Sequence, residues 1–344
     1  MDHDEKFMRL AMREAARGLG HTSPNPVVGA LIVSAQGRIL SRGHHRAAGQ
    51  PHAEIEALRA LKKIEAARGA TMYVTLEPCS THGRTPPCVE EIIASGIRRV
   101  VIGAIDPNPK HAGRGVGILK KAGVEVRDGV FGTECAELNR AFNKWIVTKI
   151  PWVIAKAGMS LDGRITRPPS EGRWITGAAS RADAMELRSR VDAILIGAGT
   201  LRADNPSLTV RGMRGARQPW RVVLTQGGSL PRGSHLFTDA FRDRTLVFKK
   251  KSLAAVLREL GKRDITSVLI EGGSRVLGAA FDGRLVDEVR FYIAPLFVGG
   301  PKVAVAGLGA GAAEEATRIE TPRYEKIGGD ICVSGLVTRD AVCV

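Results

Sequence analysis

The sequence predicts an α/β protein made of two successive domains, and three observations lead there. The chain has 344 residues, 44% hydrophobic and 25% charged, which is ample for two domains of ordinary size. Short apolar runs of strand type alternate with amphipathic runs of helical type along most of its length. The alternation restarts at Lys149-Ile150-Pro151, which puts the boundary between residues 1–148 and 149–344.

In the first half, Phe7, Leu10, Ala11 and Ala15 make an apolar stripe at helical spacing, so a helix opens the chain. The turn signal Ser23-Pro24-Asn25-Pro26 precedes an apolar run over 27–33. Gln36-Gly37 separates that run from Ile39-Leu40, which reads as a hairpin. A helix over 52–67, a strand over 72–76, a helix over 89–95 and a strand over 99–104 follow. A helix over 116–122, a strand over 124–126 and a helix over 134–148 complete the half. The second half starts with a strand over 152–157 and a Gly/Pro/Ser-rich stretch over 164–172. Its further elements are helices over 181–190, 253–260 and 275–281, with strands over 193–196, 221–224, 245–248, 267–270, 289–293 and 331–337.

No run approaches the roughly 20 apolar residues of a membrane helix, and the opening MDHDEKF has acids where a signal peptide carries bases. A cytoplasmic, non-membrane protein is expected. Five cysteines, Cys79, Cys88, Cys135, Cys332 and Cys343, are an odd number thinly spread, which disfavours a disulfide scaffold. The balance of 51 Lys plus Arg against 35 Asp plus Glu gives +16. Such a charge suits either an anionic partner, nucleic acid or phosphorylated small molecule, or a merely basic surface, because it is scattered and forms no long run.

The most specific signal is His52-Ala53-Glu54 followed by Pro78-Cys79 and by Cys88. One imidazole and two thiolates suit Zn²⁺, which with three protein ligands keeps a fourth position open for chemistry. Glu54, two residues past His52, can shuttle a proton without ligating. Histidine, glutamate and Pro-Cys in this order form the signature of zinc-dependent base deaminases. The spacing departs from that signature, since eight residues separate Cys79 from Cys88. A closed structural site, with His82 as fourth ligand, is the alternative on the motif alone. In the second half, Gly197-Ala-Gly-Thr200 lacks the last glycine of a dinucleotide fingerprint, and no P-loop occurs. Leu269-Ile-Glu-Gly-Gly-Ser274 leads from a strand into a helix, either as a phosphate-binding turn or as a simple helix cap.

The segments Thr22-Ser-Pro-Asn-Pro-Val-Val-Gly29, Gly49-Gln-Pro-His-Ala-Glu54, Leu76-Glu-Pro-Cys79 through Pro87-Cys88, and Asp106-Pro-Asn-Pro109 resemble the bifunctional riboflavin-biosynthesis deaminase/reductase. So do Lys156, Ser160-Leu-Asp-Gly163, Trp174-Ile-Thr-Gly177, Arg188, 203–211 and Glu271-Gly-Gly273, in the family's order. The resemblance implies a three-layer cytidine-deaminase-like domain followed by a dihydrofolate-reductase-like α/β domain. It implies Zn²⁺ on His52, Cys79 and Cys88, with Glu54 catalytic, and NADPH in the second domain. By the same resemblance Asn25, His45 and Arg84 contact the deaminase substrate. Gly158, Trp174, Thr200, Asp204 and Gly273 line the NADPH site, and Lys156, Arg188, Leu208, Arg211 and Glu271 hold the reductase substrate. The two arginines are expected to fork its phosphate. The family has histidine at Thr81, an aromatic residue at His44 and serine at Gly172, so this chain departs from the pattern at three positions. A phosphorylated pyrimidine is the expected partner, with no nucleic acid, and a homo-oligomer is expected. The rival reading is a nucleic-acid or tRNA base deaminase with an accessory domain. Only 5% of residues are aromatic, which leaves little for base stacking.

Overall fold

The computed structural model describes residues 2–81, 87–166 and 174–338. The chain divides into two compact units, Met1–Lys149 and Ile150–Val344. Lys149 closes the last helix of the first unit in the left-handed region, with φ at 56°, and Pro151 two residues on prevents the helix from resuming.

The first unit runs α1 (His3–Ala16), β1 (Gly29–Val33), β2 (Ile39–His44), α2 (Ala53–Arg59), β3 (Thr71–Leu76) and α3 (Cys88–Ala94). It continues with β4 (Arg99–Ala104), α4 (Arg114–Lys121), β5 (Glu125–Arg127), α5 (Gly132–Glu137) and α6 (Arg140–Thr148). Its five strands lie in the order β2-β1-β3-β4-β5, with β3, β4 and β5 parallel and β1 antiparallel to both neighbours. The apolar runs of the strands serve two faces by simple alternation. Ala30, Ile32, Met72, Val74, Val100 and Ile102 pack with Ala57, Val89, Ile92 and Leu119 of α2, α3 and α4. Leu31, Val33, Tyr73 and Val101 pack with Phe7, Met8, Ala11 and Cys135 of α1 and α5. The result is a three-layer unit. A Cβ on Gly43 would stand 2.3 Å from the Ala53 carbonyl, so glycine there lets the start of α2 sit directly on β2.

Two expected helices are interrupted. The run over 52–67 becomes α2 and a separate turn of 3-10 helix at Ile64–Ala67. Leu58 and Ala67 both enter the core, and nine residues apart they would face opposite ways on one continuous helix, so the chain bends between them. The run over 134–148 splits into α5 and α6 at Asn139, whose side chain is engaged elsewhere.

The second unit contains β6 (Trp152–Ser160), α7 (Ala178–Arg190), β7 (Ala193–Gly197), α8 (Ala198–Asp204), β8 (Trp220–Thr225), α9 (His235–Thr238) and β9 (Thr245–Lys249). Then come α10 (Leu253–Gly261), β10 (Ser267–Ile270), α11 (Ser274–Asp282), β11 (Glu288–Ala294), β12 (Ile319–Ile327) and β13 (Asp330–Val337). The strand order is β12-β13-β11-β6-β10-β7-β8-β9. The strands from β11 to β9 are parallel, and β13 and β12 are added antiparallel at one edge. Apolar clusters cover both faces of the parallel part, as parallel sheets require. Three elements are not expected from the sequence: α8, which Gly199 interrupts, the single turn α9, and β12, where almost every residue is exposed and Pro322 falls at an irregularity in its pairing. Proline is tolerated there because β12 is an edge strand. No helix among the described residues is long and apolar enough to cross a membrane.

Candidate active sites

The first site forms where two helix starts meet the end of β3. His52 immediately precedes α2, Cys88 is the first residue of α3, and Cys79 follows β3 by three residues. The His52 Nδ1 atom lies 3.3 Å from Cys88 Sγ and 3.5 Å from Cys79 Sγ. All three ligand atoms fall within 4.8 Å of one another. One imidazole nitrogen and two sulfurs so converged fit a tetrahedral zinc with one position left open. Among the described residues this is the one such cluster, and no fourth protein ligand joins it. His82 and Arg84 lie outside the described residues, so their expected roles have no structural account.

The Cys79 thiol is held down to about 4 by hydrogen bonds from Cys88 and His52, against its burial. The Cys88 backbone N–H also donates to Cys79 Sγ at 3.3 Å. Hydrogen bonding to Cys79 in turn lifts His52 to about 9. A thiolate is the form that ligates metal; the Cys88 thiol is pushed the other way, up, by its hydrogen bond to Cys79 and by burial. Glu54, in the first turn of α2, is 3% exposed. Burial pushes its carboxyl up to about 7, opposed by His52 and by a hydrogen bond from Cys88. It therefore adjoins the ligands without being one of them.

Asn25 and His45 meet beside this cluster. Asn25 Nδ2 is 3.1 Å from His45 Nε2, and His45 Nδ1 is 3.0 Å from the Pro51 carbonyl. A carbonyl only accepts, so Nδ1 carries the proton and Nε2 accepts from Asn25. Burial lowers the His45 pKa and favours this neutral form. The His45 ring stands edge-on to that of His52, with centroids 5.4 Å apart. Spacing could not separate His45 from His44. The fold does, because His44 points to Glu14, with Nδ1 3.9 Å from Oε2.

Glu77, just before Pro78-Cys79, went unnoticed in the sequence beyond being part of a motif. Its buried carboxylate accepts from the backbone N–H groups of Asp106 at 3.3 Å, Gly113 at 2.9 Å and Val116 at 3.2 Å. It ties the Cys79 loop to the 106–116 segment, and only the tertiary pairing reveals this.

In the second unit the candidate residues gather at the carboxyl ends of the parallel strands, where open α/β sheets bind ligands. Gly272 and Gly273 form the turn after β10, with Gly273 at φ 83°. A Cβ on Gly273 would stand 3.2 Å from Thr200 Oγ1 of α8. Glycine there lets the turn at the start of α11 pack closely against Thr200. Gly158 on β6 faces Thr176, where its Cβ would stand 3.3 Å from Cγ2. Trp174 is 49% exposed with the Arg181 guanidinium over its ring, and Asp204 is exposed at the end of α8.

Lys156, Arg188 and Glu271 form one charged cluster. Arg188 Nε donates to Glu271 Oε1 at 2.7 Å, the second guanidinium arm reaches Oε2, and a third bond runs to the Thr209 carbonyl at 3.2 Å. Burial would raise the Glu271 carboxyl, but Arg188 and Lys156 hold it below its ordinary value. Burial lowers the pKa of Lys156. Three of the five N–H donors of Arg188 are thus engaged by Glu271 and the Thr209 carbonyl. Arg211 remains exposed, and Leu208 is buried with φ at 50°.

A three-layer sheet unit with a His/Cys/Cys cluster that fits zinc, followed by a second unit on a mostly parallel sheet, is the arrangement of a zinc-dependent deaminase joined to a second α/β enzyme domain. Residues 1–104 match the cytidine and deoxycytidylate deaminase zinc-binding region, and residues 151–333 match the RibD C-terminal domain. The chain is similar to the riboflavin biosynthesis protein RibD of Bacillus amyloliquefaciens, 37% identical over 97% of this chain and 96% of that one. It is likewise similar to that of Escherichia coli K12, 38% identical over 96% and 98%. Solved structures of Acinetobacter baumannii RibD and of a Thermotoga maritima deaminase/reductase each superpose with a TM-score of 0.89, at 36% identity over 98% of this chain and 99% of theirs. The chain belongs to the RibD family: it is a deaminase/reductase of riboflavin biosynthesis and uses zinc and NADPH.

Proposed function

We propose that the first unit hydrolyses the 2-amino group of 2,5-diamino-6-ribosylamino-4(3H)-pyrimidinone 5′-phosphate, and that the second reduces the ribosyl group of the product to ribityl, giving 5-amino-6-(5-phosphoribitylamino)uracil. The observation that carries the first half is the buried Glu54 carboxylate beside the three convergent ligand atoms. Zinc on His52, Cys79 and Cys88 supplies Lewis acidity that makes water nucleophilic near neutral pH, and NADPH supplies the hydride.

The chain's own residues do the rest. Glu54 takes a proton from the attacking water and returns it to the departing amine, so water and the amino substrate become ammonia and the carbonyl product. Asn25, oriented by His45, holds the pyrimidine, and the Arg84 loop meets the phosphate. In the second unit Gly158, Trp174, Thr200, Asp204 and Gly273 hold the cofactor. Lys156 and Glu271 face the ribose, with Arg188 fixing Glu271, while Leu208 lines the substrate pocket and Arg211 meets the phosphate. The products name the test. Purified protein given the diaminopyrimidinone phosphate should release ammonia without NADPH and oxidise NADPH only after deamination. Glu54→Gln should keep about one zinc per chain and lose ammonia release. Ammonia release at the unaltered rate, or loss of zinc from that variant, would refute the role given to Glu54.

A further inference from the structure

We propose that Asn139 is a positioning residue for the deaminase reaction, holding from behind the turn that presents Asn25 at the zinc site. This rests on the reading of Asn25 as a substrate contact.

Asn139 is 4% exposed and stands at the break between α5 and α6, in the position before a helix where asparagine ordinarily caps. Its side chain caps nothing in α6. Instead Oδ1 accepts from the Val27 N–H at 2.8 Å and Nδ2 donates to the Val27 carbonyl at 2.9 Å. One amide thus satisfies both backbone groups of a buried residue 112 positions earlier, as a neighbouring strand would. The anchor is firm on its own side. Cys135 of α5 packs onto β4 so closely that a Cβ on Gly103 would stand 2.4 Å from its Sγ.

Val27 is the point from which both substrate-side residues hang. Pro26, with its fixed φ, joins it to Asn25, whose own N–H bonds back to the Thr22 carbonyl at 2.9 Å. On the other side the Val28 carbonyl accepts from the His45 N–H at 3.0 Å, and the His45 ring meets Asn25. Displacing Val27 therefore shifts Asn25 against His45 while leaving His52, Cys79 and Cys88, which sit on other elements, where they are.

Asn139→Asp keeps the shape but sets a carboxylate oxygen against the Val27 carbonyl. The deaminase KM for the diaminopyrimidinone phosphate should rise about tenfold or more, with kcat changed far less, because a buried acceptor loses its donor. Zinc content should stay at that of the unaltered protein, as should reduction of the deaminated intermediate supplied directly. Asn25→Ala should raise the same KM, and the double variant Asn25→Ala/Asn139→Asp should be no worse than Asn25→Ala alone. An unaltered KM in Asn139→Asp beside an impaired Asn25→Ala overturns the proposal. Fully additive effects, or lost zinc or reduction, overturn it too by showing a general structural role. An unaltered KM in Asn25→Ala instead removes the reading on which it rests. Should Asn139→Asp not yield folded protein, Asn139→Ser, which can pair with only one Val27 group, is read in the same assay, and an unaltered KM there overturns the proposal equally.

Discussion

Replacing Arg188 by Met removes one partner of a buried ion pair and leaves its shape roughly filled. The Glu271 side chain is 4% exposed and that of Arg188 14%, so the pair is screened little by water. The variant loses two charge-assisted bonds to Glu271 and one to the Thr209 carbonyl. Breaking such a pair from one side costs about 3–5 kcal/mol, chiefly because a charge is left buried and uncompensated. Lys156 stays beside Glu271 and offsets part of this, which points to the lower end, about 3 kcal/mol. For a unit of this size that is a fall in Tm of roughly 6–12 °C. Denaturant unfolding followed by a probe in the second unit measures it. Arg188→Met/Glu271→Gln, which removes the Glu271 charge as well, should recover part of the loss, the buried Lys156 then lacking its carboxylate.

The sign of the pH dependence follows from the same pair. Glu271 is held below its ordinary 4.5 when folded, so its contribution is in place above that value and is lost as pH falls through the depressed one. The difference between Arg188→Met and the unaltered protein should therefore shrink on acidification. Equal stability of the two proteins at neutral pH, or a difference that grows in acid, would refute the argument from a buried pair.

Two further outcomes are expected. Cys79→Ser should lose zinc and ammonia release, yet still oxidise NADPH when the deaminated intermediate is supplied; loss of that reduction in a folded variant would contradict independent sites. Arg211→Ala should weaken binding of the phosphorylated reductase substrate about tenfold or more, with partial recovery in Arg211→Lys. Steady-state kinetics showing equal loss with the dephosphorylated analogue would move the phosphate contact elsewhere.

What the sequence by itself determined about this protein is what depends on local spacing. The period-2 and helical patterns placed most of the elements, because each strand and helix buries a face that repeats along the chain. His52, Glu54, Cys79 and Cys88 were legible as a zinc-deaminase signature because those residue types in that order have few other uses. The glycines after β10 were legible as a turn, although their nearness to Thr200 was not. What only the tertiary structure decided is which distant groups meet. It set His45, and not His44, against Asn25 and His52, and it turned Nδ1 of His52 toward both sulfurs. It paired Arg188 with Glu271, 83 residues away, and set the Asn139 amide against Val27. The edge strand β12 likewise exists only through its partner β13, since its own residues bury almost nothing. Such pairings follow from strand order and from where the loops and helix ends between the strands are carried, which a one-dimensional pattern does not hold.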